Sequence, residues 1–390
     1  MADRVGKLSS GLQLSLAANF VDRELAGTQV TVGANLVRGP GRGLQLAVGA
    51  NWATASFRGA QIATGLNVVH EDARGAQISS GANVAGARIS GAQIAAVANT
   101  AGGDAHGAQI TAGVNYASGM SLGAQIGAIS NIVRSDSAGA QIAAGLNLAT
   151  HTIRGAQIAG GANLAGTVDG MQLAPFNLAG TADGLQLGVV NLATRGRGFK
   201  IGVINLAREH DGEALGLINL IGNGIHSFAA YACDAMLSNL ELKLGSRHLY
   251  TSFQFAYQPG DALAAGPARF EYGSRRYGFG LGLGYRQPLA AGRLRFLEIE
   301  ASQISIRSRF CSSGCGFSAE GDNPGLASLR VVLGIEILRG LSGIVGISEN
   351  AAIASRGRDL DIGSGFLEAV QHSGQTTVRE YPGLLLGLQL

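Results

Sequence analysis

The chain has 390 residues, enough for two domains, with 46% hydrophobic residues, 14% charged residues and 61 glycines. Split at residue 224, 14 Lys/Arg stand against 12 Asp/Glu before it and 15 against 14 after it, so neither half offers the basic surface of a nucleic-acid binder. A Gly-rich chain with only 7 prolines and a strict period is neither collagen nor disorder, and no apolar run reaches the roughly 18 to 20 residues of a transmembrane helix.

The first residues, Met1 to Leu8, carry no apolar stretch of a signal peptide, so the expectation is that an export signal lies outside this sequence. Fourteen copies of Gly-Ala-Gln-Ile-x-x-Gly-x-Asn-Leu-Ala then fill the chain to about residue 220. The Gln recurs at 13, 29 and 45, then at Gln61, Gln77, Gln93, Gln109, Gln125, Gln141 and Gln157, a step of 16, and again at 172 and 186 before Lys200 takes its place. The Asn runs in parallel at 19, 35 and 51, then at Asn67, Asn83, Asn99, Asn115, Asn131, Asn147 and Asn163. It continues at Asn177, Asn191, Asn205 and Asn219 with a step of 14. So strict a period predicts a repeat architecture, of the kind that scaffolds or binds more often than it catalyses.

Within one copy, Ala60, Ile62, Thr64, Leu66 and Val68 alternate with Gln61, Ala63, Gly65, Asn67 and Val69, which is the period of a strand. The segment from His70 to Gly75 varies from copy to copy and reads as a turn. Two architectures accommodate the pattern. In a β-solenoid each copy is one coil of two short strands, and identical Gln and Asn side chains stack into amide ladders. In an up-and-down barrel each copy is one strand, and antiparallel neighbours send Gln and Asn to opposite rims. The solenoid gives a reason for the repeated amides and is favoured, with about 14 coils over residues 1–224. The change of period after Asn163 predicts a shortened turn and a changed cross-section. The period alone lets the amides face either side of the coil wall.

From residue 225 to 390 the repeat is gone and longer alternations appear: Leu240, Leu242 and Leu244; Phe253, Phe255 and Tyr257; the bulky/Gly run from Gly278 to Tyr285; and Leu329 to Ile337. About eight antiparallel strands are expected. One reading is a membrane barrel whose interior holds Glu241, Lys243, Arg295, Glu298, Glu300, Arg330 and Glu336 as paired charges. The other is a soluble β domain with the charged face wet. Cys311 and Cys315, in a Ser/Gly-rich loop, are a candidate disulfide.

The segments Gly184 to Ala193, Lys200 to Ala207 and Asn219 to Ile225 resemble the LA_2272-type family of bacterial surface repeats, in its larger Gram-negative members with a C-terminal β domain. The resemblance implies an exported cell-surface or outer-membrane protein with no assigned enzymatic activity, and it supplies no catalytic residue to carry over.

Other chemistry finds little support. His70, His106, His151 and His210 fall in turns at differing offsets, which suits solvated residues better than a metal ladder. Asp169 and Asp183 each precede a Gly in a turn, without the aromatic platform of a glycan-cleaving site. No nucleophile is set beside a base, and the Gly-rich stretch from 39 to 43 lacks the ending of a phosphate loop. The expectation is therefore a non-enzymatic surface scaffold without cofactor or metal. Its partners would be outer-membrane lipid at the C-terminal domain, a surface glycan or protein ligand on the solenoid, and further copies through the solenoid ends. A soluble ligand-binding solenoid is the alternative, and a polysaccharide-active β-helix enzyme a distant third.

Overall fold

A computed structural model describes residues 2–8, 10–259, 276–307, 325–355, 369–373 and 376–390. Cys311 and Cys315 lie outside the described residues. Every described element is a β-strand, and no helix is present among the described residues. The chain divides into two compact units, Met1–Leu206 and Ala207–Leu390.

The repeats form a β-solenoid of about 14 turns, with each copy contributing two strands. Phe57–Ala63 and Leu66–Val69 are followed one coil later by Ala73–Ser79 and Ala82–Ala85. Successive coils pair parallel and in register, so that Gly59 meets Gly75, Gln61 meets Gln77 and Asn67 meets Asn83. Like residues therefore stack on like residues, which an antiparallel barrel of the same copies cannot do. The expected turn from His70 to Gly75 is shorter than its composition suggests, because Ala73, Arg74 and Gly75 already belong to the next strand. Arg58 and Arg74 pair through their backbones while their side chains stay exposed, so a variable polar surface overlies a continuous ladder.

The glycine that opens each copy has a local cause. Gly59, Gly75, Gly91 and Gly107 hold φ near +120° to +135°, a region costly for residues with a Cβ. A Cβ at Gly75 would also sit 2.1 Å from the carbonyl oxygen of Gly59. Inside the coil, Val21, Val37, Ala53, Val69 and Ala85 form one buried column. Bulk is traded between coils: the Phe57 ring lies 2.5 Å from where a Cβ of Gly41 would be, so the large residue depends on the small one beneath it.

The period change removes one residue from each of two connections rather than two from a single turn. Gln157 to Asn163 spans six positions but Gln172 to Asn177 spans five, and Asn163 to Gln172 spans nine where Asn147 to Gln157 spans ten. The strands around the Gln column shrink to three residues, as in Met171–Leu173 and Leu185–Leu187. The register shifts between Ala149 and Thr152, where the two coil lengths meet.

The second unit begins within the last repeats, with Glu213–Leu215 and Ile218–Ile221. Nine antiparallel strands follow: His226–Cys233, Ser238–Gly245, Leu249–Gln258, Arg276–Ala291, Leu294–Arg307, Gly325–Leu338, Leu341–Ser355, Ala369–Ser373 and Thr376–Gln389. The last strand pairs with Leu341–Ser355 along its length, and its C-terminal half pairs with the first strand, from Ala229 opposite Gln389 to Cys233 opposite Leu385. The Glu213 carboxylate fastens the last coil to the hairpin before Leu249. It accepts from Ser246 Oγ (2.6 Å) and the Leu249 amide (3.1 Å) and meets His248 Nδ1 at 2.6 Å.

Candidate functional site

Two features distinguish this chain from an ordinary β protein. The first is the pair of amide columns, which face inward and are shielded from water. Gln77 Nε2 donates to Gln61 Oε1 at 2.9 Å and Gln93 Nε2 to Gln77 Oε1 at 2.8 Å, so Gln donors point back to the preceding copy. Asn67 Nδ2 donates to Asn83 Oδ1 at 2.8 Å and Asn83 Nδ2 to Asn99 Oδ1 at 3.0 Å, so Asn donors point forward. Most of the Asn side chains also reach a main-chain carbonyl of the next coil, as Asn67 does with Ile78 at 2.8 Å. Buried amides need all their partners, and a partner at every step makes the column cooperative.

The same pattern covers Gln109, Gln125, Gln141 and Gln157, and Asn99, Asn115, Asn131, Asn147 and Asn163. It passes through the shorter coils by way of Gln172, Asn177 and Asn191, whose Nδ2 donates to Asn205 Oδ1. Asn219 lies in the second unit and donates to the Gly216 carbonyl at 2.9 Å. Lys200 takes the Gln position, is fully buried and donates to Gln186 Oε1. Burial away from water lowers its ammonium to a pKa of about 8.

The second feature is the nine-stranded sheet, which exposes large apolar side chains on one face and on the other buries a charged network between two apolar clusters, one with Ile304, Ile306 and Leu326 and one with Phe296, Val332 and Ile344. Leu281, Ile299, Leu329, Ile347, Leu384 and Leu386 lie exposed on one face, Leu281 at 46% and Leu386 at 69%. On the other face Glu241, Lys243, Glu298, Glu300 and Arg330 are buried. Arg330 bridges Glu241 and Glu300, the latter at 2.5 Å. Glu298 is held by Lys243 at 2.6 Å and by Arg286 at 2.5 Å. Ser252 Oγ, Tyr250 Oη and Gln254 Nε2 all donate to Glu300, at 2.9, 2.9 and 2.6 Å. Soluble proteins place charge outside and bury it only when paired. Here the pairing is complete enough to hold five charged side chains on one buried face. About 20 Å³ of space remains beside Arg330, room for a single water at most.

The bulky/Gly alternation in Arg276–Ala291 has its explanation in this packing. Gly282 lies under Ser252 and Glu300, and Gly284 under Tyr250, whose ring would meet an added Cβ at 2.1 Å. The small face makes room for large polar groups, while Phe279, Leu281, Leu283 and Tyr285 point outward. Arg295 and Glu336 are the exception to the expected interior. They pair with each other but remain partly exposed, near the turn at Gly292, where the buried face has ended. Tyr231, Tyr250, Ser252, Gln254 and Arg286 belong to the buried network although only the Ser252/Phe253/Gln254/Phe255 alternation marks any of them in the sequence.

On the solenoid, an open apolar groove of about 1000 Å³ is lined by Leu14, Leu16, Val32, Val48, Ile62 and Ile78 among others, with no aromatic residue in its walls. Among the described residues no group of three or more His, Cys, Asp or Glu side chains is placed to hold a metal ion. Asp183 accepts from the Arg197 amide at 3.1 Å and pairs with its guanidinium. Comparison with protein-family models, with curated proteins and with solved structures finds no match for this chain.

Proposed function

We propose that the C-terminal strands close into a barrel anchored in an outer membrane, and that the solenoid is a non-enzymatic scaffold held by that anchor, in keeping with the resemblance to bacterial surface repeats. The observation that carries this reading is the outer face: a sheet with leucine, isoleucine and phenylalanine outside and paired charges among its buried side chains is stable where its surroundings are apolar. The pairing of the first with the last strand supports closure, since it leaves no edge along Ala229 to Cys233. Outward aromatics also bracket the apolar band. Tyr257 and Tyr277 contact at 5.3 Å near one end, and Tyr285 stacks on His248 at 5.6 Å near the other. From Tyr277 to Tyr285 the strand runs roughly 26 Å, or about 20 Å of height at a typical barrel tilt. The small space beside Arg330 suits an anchor rather than a channel.

The full-length chain tests this directly. It is refolded with and without detergent and run on a gel unheated and boiled. A detergent requirement with a heat-dependent change of mobility is the expected result. Cooperative folding in plain buffer with no mobility change would overturn the anchor and leave a soluble scaffold.

A further inference from the structure

From each Gln to the second residue past each Asn, twelve consecutive copies between Gln13 and Ala193 contain no Asp, Glu, Lys or Arg. The charges of these coils all lie in the remaining stretches, where some pair across coils, Arg88 with Asp104, Arg154 with Asp136 and Arg197 with Asp183, and others such as Arg42, Arg58 and Arg134 are exposed. The solenoid is therefore amphipathic around its circumference, with a long uncharged side that exposes Leu16, Val32, Val48, Val97 and Ile129. We propose that this uncharged side is an interface between two copies of the chain, packed side by side.

Two observations select a second copy. The first is area. Twelve coils at strand spacing run about 55 Å, and the two short strands with their corner are roughly 15 Å across, giving about 800 Å² per chain, the share of a standard stable interface and more than a monomer normally leaves exposed. The second is self-complementarity. Val97, Gly113 and Ile129 occupy the same position in consecutive copies, stacked through bonds from Ile129 N to Gly113 O (3.1 Å) and from Val97 N to Gly81 O (3.0 Å). Val97 and Ile129 project, 62% and 61% exposed, while Gly81 and Gly113 leave gaps at the same pitch. An antiparallel twofold axis between the copies of Val97 and Gly113 sets Val97 against Gly113 of the second chain and Ile129 against its Gly81. No other partner shares that spacing by construction.

The test is sedimentation equilibrium of the full-length chain, in a density-matched detergent if detergent is needed to keep it in solution, so the result does not depend on the membrane reading. The chain is compared with Val97→Glu/Ile129→Glu, whose side chains are exposed enough for the coil to fold, as circular dichroism checks. The expected result is twice the chain mass for the unsubstituted protein and a twofold drop for the doubly substituted one. A single-chain mass for the unsubstituted protein, or a mass unmoved by the glutamates, overturns the proposal. So does loss of binding to neutral phosphatidylcholine vesicles with no change of mass, which assigns the face to lipid.

Discussion

At Gly91 the backbone holds φ at +135°, and a Cβ there would lie 2.0 Å from the Gly75 carbonyl oxygen. Strain and collision act together, so Gly91→Ala is expected to cost about 3 kcal/mol or more. Gly103→Ala is the control, because its nearest neighbour would be 3.3 Å away, and it should cost well under half as much. Since each coil contacts only its neighbours, the damage stays local. Limited proteolysis should open the chain near residue 91 in the first variant and leave the second intact. Lys200 carries the opposite lesson. Desolvation lowers its pKa to about 8, against 10.5 for the ordinary ammonium. The folded state thus binds the proton more weakly than the unfolded one, and stability rises with pH between about 8 and 10.5 and is flat outside that window. Below pH 8 the buried charge costs about 3 kcal/mol. Lys200→Gln restores the amide column and should raise urea resistance at pH 7, with the gain shrinking toward pH 10.5. A gain of equal size at both pH values would refute the desolvation account.

The C-terminal strands depend on Arg330 as the copies depend on their amides. Its guanidinium stands between Glu241 and Glu300 and above the Tyr231 ring, 5.0 Å from the centroid. Arg330→Met leaves two buried carboxylates facing each other, a loss of about 3 to 5 kcal/mol, or about 10 °C in the unfolding temperature. Thermal melting of the full chain reads this, and an unchanged midpoint would mean that the network is not holding the sheet. Strict alternation made Glu241, Lys243, Glu298, Glu300 and Arg330 legible as one face in the sequence, and the parity of Leu281 and Leu283 made the other. Alternation does not say where a face ends, which is why Arg295 and Glu336 read as interior although they sit by a turn. Nor does it reveal cross-strand neighbours. Tyr250 is buried because Gly284 is opposite it, and that pairing is a matter of register. In the solenoid the period was visible, but the direction of the amides was not. Gln61 shares its parity with Ala63, Gly65 and Asn67, and a column of small and amide side chains satisfies either side of a sheet until the coil closes around it.

For the molecule as a whole, the environment of the sheet's apolar outer face decides what the chain is for, and one outward residue separates the possibilities. Leu281 lies in the middle of the apolar band between Tyr277 and Tyr285, with 46% of its surface exposed and glycines on either side in sequence. If water surrounds that face, Leu281→Arg exchanges an exposed apolar group for a solvated one and changes stability by less than about 0.5 kcal/mol. If lipid surrounds it, the same change places a guanidinium near the midplane and costs about 2 to 4 kcal/mol. The sign of the effect on solubility differs as well, since arginine on a wet surface reduces association whereas arginine on a lipid face blocks insertion. The expected outcome is the second: the variant should insert into vesicles far less than the unsubstituted chain and lose its heat-dependent mobility. Gln287→Arg, beyond the Tyr285 end of the band on the same strand, should insert normally, because the penalty falls away toward the interface. Equal insertion of all three chains, or folding of Leu281→Arg in plain buffer, would remove the membrane from the account. The solenoid would then be the whole of the working surface, and its uncharged side the first place to look for a partner.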